Sequence, residues 1–253
     1  MPGTDPYGRM AYSGLIAWPQ RLQREAPLLL RVLGGAPSKG ILDLGCGTGE
    51  HTRFLASLGF EGLGVDASPA QLAVARAADP LGHYLQADLG ALAGVMAARQ
   101  GGAICLGNTL PHLREEAEVR AFFLGLAQGL LPGAPFLLQL LNYDRILERG
   151  ERSFPVTLRP GEGEGEETVF LRLMTHHGDG RLSFTPATLR HRPGAVPPLE
   201  LISAHEVSLR GWCRAQVEAL LRASGFQVEE ILGTMTGEAW SATSSDLVVV
   251  ARV

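Results

Sequence analysis

Lysine is all but missing from this 253-residue chain: Lys39 stands alone against 21 arginines. Chemistry resting on a lysine is excluded, because Lys39 precedes the first strand read from the sequence. Cysteine is scarce as well. Cys46, Cys105 and Cys213 have no metal-ligand spacing, and Cys46 and Cys105 read as buried thiols behaving as small hydrophobes. No acidic or histidine cluster points to a metal site. No apolar run approaches the roughly 18 residues that a membrane span needs, and residues 1–12 lack the apolar core of a signal peptide. The expected location is therefore the cytoplasm, with no membrane partner. Basic charge is not in excess either. A net charge of -4 and a pI near 6.0 argue against a nucleic-acid partner, and the arginines along 145–159 are accompanied by glutamates.

What the chain does have is apolar substance and glycine. At 45% hydrophobic it can bury one large core plus a small excursion. Its most informative stretch is 41–49, ILDLGCGTG. Ile41, Leu42 and Leu44 suit a buried parallel strand, Asp43 lies near its carboxyl end, and Gly45, Gly47 and Gly49 crowd into a turn. Glycine at alternate positions lets a backbone bend sharply and approach a ligand closely. Open α/β sheets bind ligands at the carboxyl ends of their strands. The spacing is GxGxG rather than the GxGxxG of dinucleotide binders, and no GK[ST] marks a phosphate loop.

Strands are expected at 40–44, 61–65, 83–86, 103–107 and 134–141, alternating with helices at 50–58, 68–78 (capped by Ser68, with Pro69 in its first turn), 90–98 and 115–129. A helix over 19–33 precedes them, with Pro27 implying a break or kink. This rhythm calls for a mostly parallel, helix-covered sheet. From 151 to 210 the rhythm changes. Period-two segments at 167–174, 181–190 and 199–209, with a turn at 176–180, suggest an inserted antiparallel sheet, and 160–167 reads as a flexible acidic loop. A helix at 212–223 and strands at 226–232 and 246–251 close the chain. The division expected is 1–150 for a cap helix and a ligand-binding half, 151–210 for the insertion, and 211–253 for the closing helix and strands.

Acids follow three successive strands. Asp66 sits 17 residues beyond Gly49, where an acid accepts bonds from both hydroxyls of a ribose, and Asp88 with its neighbour Leu89 is placed to meet an adenine ring. Asp66 alone also fits a dinucleotide binder.

ILDLGCGTG, VDAS at 65–68 and QADL at 86–89 resemble the motifs of the class I S-adenosylmethionine-dependent methyltransferases. That resemblance implies an α/β fold: a seven-stranded, mostly parallel Rossmann-like sheet with helices on both faces. It implies S-adenosylmethionine as cofactor and S-adenosylhomocysteine as product. The cofactor would be held by Asp43, Gly45, Cys46, Gly47, Gly49, Asp66, Ala67, Asp88 and Leu89. LGNTLPHL at 106–113 followed by NYDRIL at 142–147 is similar to the glycine and sarcosine N-methyltransferase group and its bacterial relatives, which carry a small antiparallel lid after the fifth strand. By the same likeness, Tyr12, Trp18 and Arg21 fall in a segment that covers the cofactor, and Asn108 and His112 lie near the transfer centre. Where the glycine-methylating enzymes place an arginine before NYD, this chain has Leu141, so a substrate carboxylate would need another cation, with Arg145 or Arg172 as candidates.

The acceptor read from these features is a small molecule, an amine above all. His112 has the pKa range of a base. Asn142 and Tyr143 offer a carbonyl and a hydroxyl to orient the amine. His176 and His177 read as solvated turn residues, and Trp240 as pocket lining or seam filler. An O-methyltransferase or natural-product methyltransferase on the same scaffold stays open, as do a nicotinamide dehydrogenase and a non-catalytic binder, and the state is monomer or homodimer.

Overall fold

The computed structural model describes residues 16–94, 98–161 and 163–253. The glycine-rich segment lies in a seven-stranded sheet built from β1 (Gly40–Leu44), β2 (Glu61–Asp66), β3 (His83–Gln86), β4 (Gly102–Cys105) and β5 (Pro135–Leu141) and, from the far end of the chain, β11 (Gln227–Leu232) and β12 (Asp246–Arg252). The spatial order is β11-β12-β5-β4-β1-β2-β3. β1 pairs in parallel with both β2 and β4, whereas β12 runs antiparallel to β5 and β11. Order therefore reverses between β1 and β4, which is where open α/β sheets form their crevice.

Strand alternation divides the core in two. Leu42, Leu44, Ala103, Cys105, Phe136, Leu138 and Leu140 face Phe122, Phe123 and Phe226. Ile41, Ile104, Leu137, Val248 and Val250 face Leu29, Leu33 and Leu55. Helices thus cover both faces, and each apolar strand is buried on both sides, as a parallel sheet requires. The helices are α1 (Trp18–Leu33), α2 (Glu50–Ser57), α3 (Pro69–Ala78), α4 (Glu116–Gly129), α5 (Tyr143–Arg149) and α6 (Arg214–Ala223). Ser68 caps α3 by accepting the Gln71 amide. No helix among the described residues is long and apolar enough to cross a membrane.

The second sheet has five strands: β6 (Thr157–Pro160), β7 (Glu167–His176), β8 (Arg181–His191), β9 (Leu199–Ala204) and β10 (Val207–Arg210). β7 and β8 form a hairpin, β6 flanks β7, and β9 and β10 share the other edge of β8. Met174, Leu182, Val207 and Leu209 from its inner face join Tyr143 and Trp212 in the larger core.

Several expectations need correction. α1 runs unbroken through Pro27, because packing of Leu28, Leu29, Val32 and Leu33 outweighs one lost backbone bond. The helix expected at 90–98 is a 3-10 segment, Leu89–Gly94, as far as the described residues extend. The strand expected at 199–209 is interrupted at 205–206. β6 and α5 were not anticipated; α5 follows directly from Asn142, whose side chain caps it.

Candidate active site

The turn after β1 is held in a left-handed backbone: φ is 75° at Gly45, 55° at Gly47 and 81° at Gly49. The amides of Gly45 and Cys46 both donate to the Val65 carbonyl, at 2.8 and 3.1 Å, which ties the loop to the end of β2. Asp66 completes the tie. One carboxylate oxygen accepts the Gly47 amide and the other the Ser68 amide, each at 2.8 Å, with Ala67 exposed between them. Among the described residues, a Cβ added at Gly47 would meet nothing closer than Gln71 Oε1 at 3.9 Å, which leaves that side of the loop accessible to a ligand. A Cβ at Gly45 would overlap Thr109, because the loop after β4 presses against the loop after β1. Burial pushes the Cys46 and Cys105 thiols up, so both are inert at neutral pH.

Asp43, expected among the residues holding the cofactor, is turned into the protein. It is 2% exposed and accepts the Thr52 hydroxyl at 2.7 Å, and burial raises its carboxyl above the ordinary range. It supports the loop from beneath. Beside it, His51 Nε2 lies 2.7 Å from Glu25, and Arg21 Nε bonds the same carboxylate at 2.8 Å. Trp18 meets the His51 ring edge-on at 5.4 Å, with the Arg21 guanidinium over its own ring at 5.1 Å. Its indole nitrogen is buried without a partner among the described residues. Tyr12 lies outside the described residues.

Asp88 is exposed at the end of β3, accepting the Gly90 amide at 2.7 Å, and Leu89 is buried in the core beside it. After β4, Asn108 adopts φ 68°. Its carboxamide donates to the Tyr143 hydroxyl at 3.0 Å and accepts the Leu141 amide at 3.1 Å. His112 ends the Leu110–His112 turn, and burial lowers it to about 4. The ring is neutral at pH 7, which suits it to orient a donor and makes it a poor acceptor for an ammonium proton.

Asn142 and Tyr143 do not face an open pocket. Both are fully buried; the Asn142 amide donates to the Ser241 and Ser244 carbonyls, and burial raises the Tyr143 phenol. They brace the site. Arg145 is spoken for as well, by the Ser244 carbonyl and Glu151. His176 and His177 are not simply solvated: they bond the Glu151 carbonyl and the Ser183 hydroxyl. Trp240 packs against the Arg214 guanidinium at 4.8 Å.

Sequence reasoning missed Glu25, His51, Thr52 and Gln139. Gln139 accepts the Gly107 amide and donates to Asp246, both at 2.7 Å, linking the loop after β4 to β12. A lone polar residue within the apolar run 134–141 was its only signal.

Residues 41–133 match the family model described as a methyltransferase domain. The glycine/sarcosine N-methyltransferase of Parasynechococcus marenigrum is 33% identical over 59% of this chain and 52% of its own length. That of Halorhodospira halochloris is 32% identical over 60% and 58% respectively. Over this domain the chain is similar to the class I S-adenosylmethionine-dependent methyltransferases. It spans a little over half the length of these two curated relatives. Across 96% of the chain its fold matches the SAM-bound amino pentose methyltransferase of Micromonospora echinaspora, with a TM-score of 0.75, 22% identity and 94% of that chain covered.

The residues present fit S-adenosylmethionine, the cofactor of the proteins this chain resembles. The open side of Gly47 gives a close backbone approach, the Asp66 carboxylate is fixed at the rim of the crevice, and the Trp18 indole N–H is in want of an acceptor among the described residues.

Proposed function

We propose that this chain catalyses methyl transfer to the nitrogen of a small-molecule amine by in-line displacement. The observation that carries the reading is the Asp66–Gly47 tie, which sets an acid and an open glycine turn at the switch point of the sheet. S-adenosylmethionine supplies, when bound, an activated methyl on a sulfonium centre. The names of the relatives, glycine/sarcosine N-methyltransferases and an amino pentose methyltransferase, support nitrogen as the acceptor atom.

Asp66 accepts the ribose hydroxyls at the carboxylate that the Gly47 and Ser68 amides hold in place. Asp88 and Leu89 bound the adenine end. Trp18 and Arg21, on α1, cover the opposite end beside the glycine turn. Asn108, locked between Tyr143 and Leu141, fixes the loop that presents His112. The neutral His112 ring accepts an N–H bond from the acceptor and aims its lone pair, while the ammonium proton leaves to solvent before binding. Asn142 and Tyr143 are positioning residues. Residues 151–210 act as a lid over a body made by 1–150 and 211–253, and the lid excludes water from the transfer centre. Orientation of this kind contributes several kcal/mol to such reactions.

The test is calorimetric titration with S-adenosylmethionine and S-adenosylhomocysteine on the wild type and Asp66→Ala, followed by transfer assays on amines, phenols and acids. Micromolar binding lost in the variant, with nitrogen methylated, supports the reading. Oxygen acceptors turned over in preference to amines would replace it with O-methylation, and absence of binding to folded protein would end it.

A further inference from the structure

We infer that the outer face of the five-stranded sheet is an interface between two copies of this chain, packed sheet against sheet about a twofold axis.

The register sorts the side chains of this sheet onto two faces. Met174, Leu182, Val207 and Leu209 point inwards and join the larger core. Side chains alternate along a strand, and directly paired residues share a side. The residues one step along therefore point away from that core. They form an apolar row across four strands: Leu158 on β6 pairs with Val169 on β7, Val169 with Leu189 on β8, and Leu189 with Leu201 on β9. On the same face Leu171 pairs with Ala187, and Leu173 with Thr185. None of these residues joins either half of the core, and Leu158, Leu173 and Leu201 are 52%, 47% and 62% exposed.

Charge sits on the opposite side. One step from the apolar row, Arg159 pairs with Thr168, Thr168 with Arg190 and Arg190 with Glu200, and Arg172 shares that side with Met174. A sheet with one solvated face carries the reverse pattern, apolar residues inwards and polar ones outwards. The polar residues of the outer face lie at its two ends. Glu167 pairs with His191 and bonds its ring at 2.8 Å, and Thr175 pairs with Ser183, whose hydroxyl meets His177. An apolar centre inside a polar rim is the anatomy of a protein interface.

A second copy is the occupant that fits. The sheet is four strands wide, because β9 and β10 share one edge of β8, and β8 is 11 residues long. At strand and residue spacings of about 4.8 and 3.4 Å the face measures roughly 700 Å². A standard interface takes about 800 Å² from each partner, whereas monomers seldom expose apolar patches beyond a few hundred Å². The central rows carry no charge, so a twofold axis sets no like charges against each other. A broad sheet face is matched by another sheet face about 10 Å away.

The experiment reads the mass of the full chain by sedimentation equilibrium over a dilution series. At micromolar concentration the expected particle has twice the 27.0 kDa of one chain. Leu173→Glu combined with Leu201→Glu puts carboxylates inside the interface and should weaken the dimer by about a hundredfold or more. Leu158→Lys and Leu201→Lys, single changes on edge strands where a charge is tolerated, should each weaken it as well and keep the test decisive if the double variant fails to fold. Leu124→Glu, at an exposed leucine of α4, should leave the mass unchanged. Far-UV circular dichroism reports whether each variant is folded. A single-chain mass at the highest concentration overturns the inference, and so does a dimer that the folded sheet variants leave intact. A monomer that binds phosphatidylcholine vesicles, or one that assembles only with a different protein, gives the face to that occupant and overturns it equally.

Discussion

His51 Nε2 lies 2.7 Å from one oxygen of Glu25, and Arg21 Nε lies 2.8 Å from the other. The Glu25 carboxylate, 2% exposed, thereby fastens α1 to the first turn of α2, directly behind the glycine turn. Burial alone would raise this carboxyl; the His51 hydrogen bond and the Arg21 charge outweigh it and hold it below the ordinary 4.5. An ionised Glu25 only accepts, so His51 carries its hydrogen on Nε2.

Removing one partner of such a buried pair leaves the other uncompensated, at a typical cost of about 3–5 kcal/mol. Glu25→Ala should therefore lower the unfolding free energy by several kcal/mol and loosen Trp18 and Arg21 against His51. Because the folded carboxyl lies below its unfolded value, its stabilisation is complete above about 4.5 and is lost as pH falls through the lowered value. Denaturant midpoints across pH 3–6 should fall towards acid in the wild type and fall less in Glu25→Gln.

Asn108 and Tyr143 share the next test. Tyr143→Phe removes the acceptor of the Asn108 amide inside a fully buried setting, costing about 1–3 kcal/mol. If the pair acts by holding the loop of His112, kcat should fall while S-adenosylhomocysteine affinity stays within about twofold. Calorimetry beside initial rates separates the two. Loss of cofactor affinity with kcat intact would place Tyr143 in a different role.

Much of this architecture was legible in the sequence because its cause is local. The β1 and β3 bounds and the Ser68 cap follow from apolar runs and one hydroxyl before a proline. The GxGxG turn needs left-handed backbone at the glycines, and that is what they adopt. The misreadings share a different cause. Pro27 was expected to break or kink α1; a break counts only the local cost and not the tertiary packing of Leu29 and Leu33, and the helix continues through it. Asn142 and Tyr143 carry the right chemistry for a site, yet partners at Ser241, Ser244 and Asn108, remote in sequence, turn them inward. Glu25 and His51 look like two ordinary helix residues until α1 and α2 meet.

His112 gives a pH prediction of definite sign. Burial lowers its pKa from 6.5 to about 4, so folding favours the neutral ring, and the associated stability is full above 6.5 and is lost as pH falls towards 4. Histidine ring protons followed by NMR should show one imidazole that fails to titrate between pH 8 and 5. No rate limb near 6.5 should disappear in His112→Gln, although kcat itself should drop. A limb at that pH that vanishes in the variant would restore His112 as the base.

Gly45 and Gly47 occupy the same turn with similar backbone, and alanine should affect them differently. Both pay for a left-handed Cβ, about 1–2 kcal/mol. At Gly45 the added methyl also drives into Thr109, where the loops after β1 and β4 meet, and overpacking of that kind costs about 1–3 kcal/mol more. Gly45→Ala should consequently show the larger loss of thermal stability. At Gly47 the methyl meets no atom of the described residues closer than 3.9 Å and fills the space through which a ligand would approach the turn. Gly47→Ala should keep most of its stability and lose S-adenosylhomocysteine affinity by tenfold or more. Thermal melts and titrations on the two variants decide it: if Gly47→Ala binds as the wild type does, the open side of the turn is not where the cofactor lies.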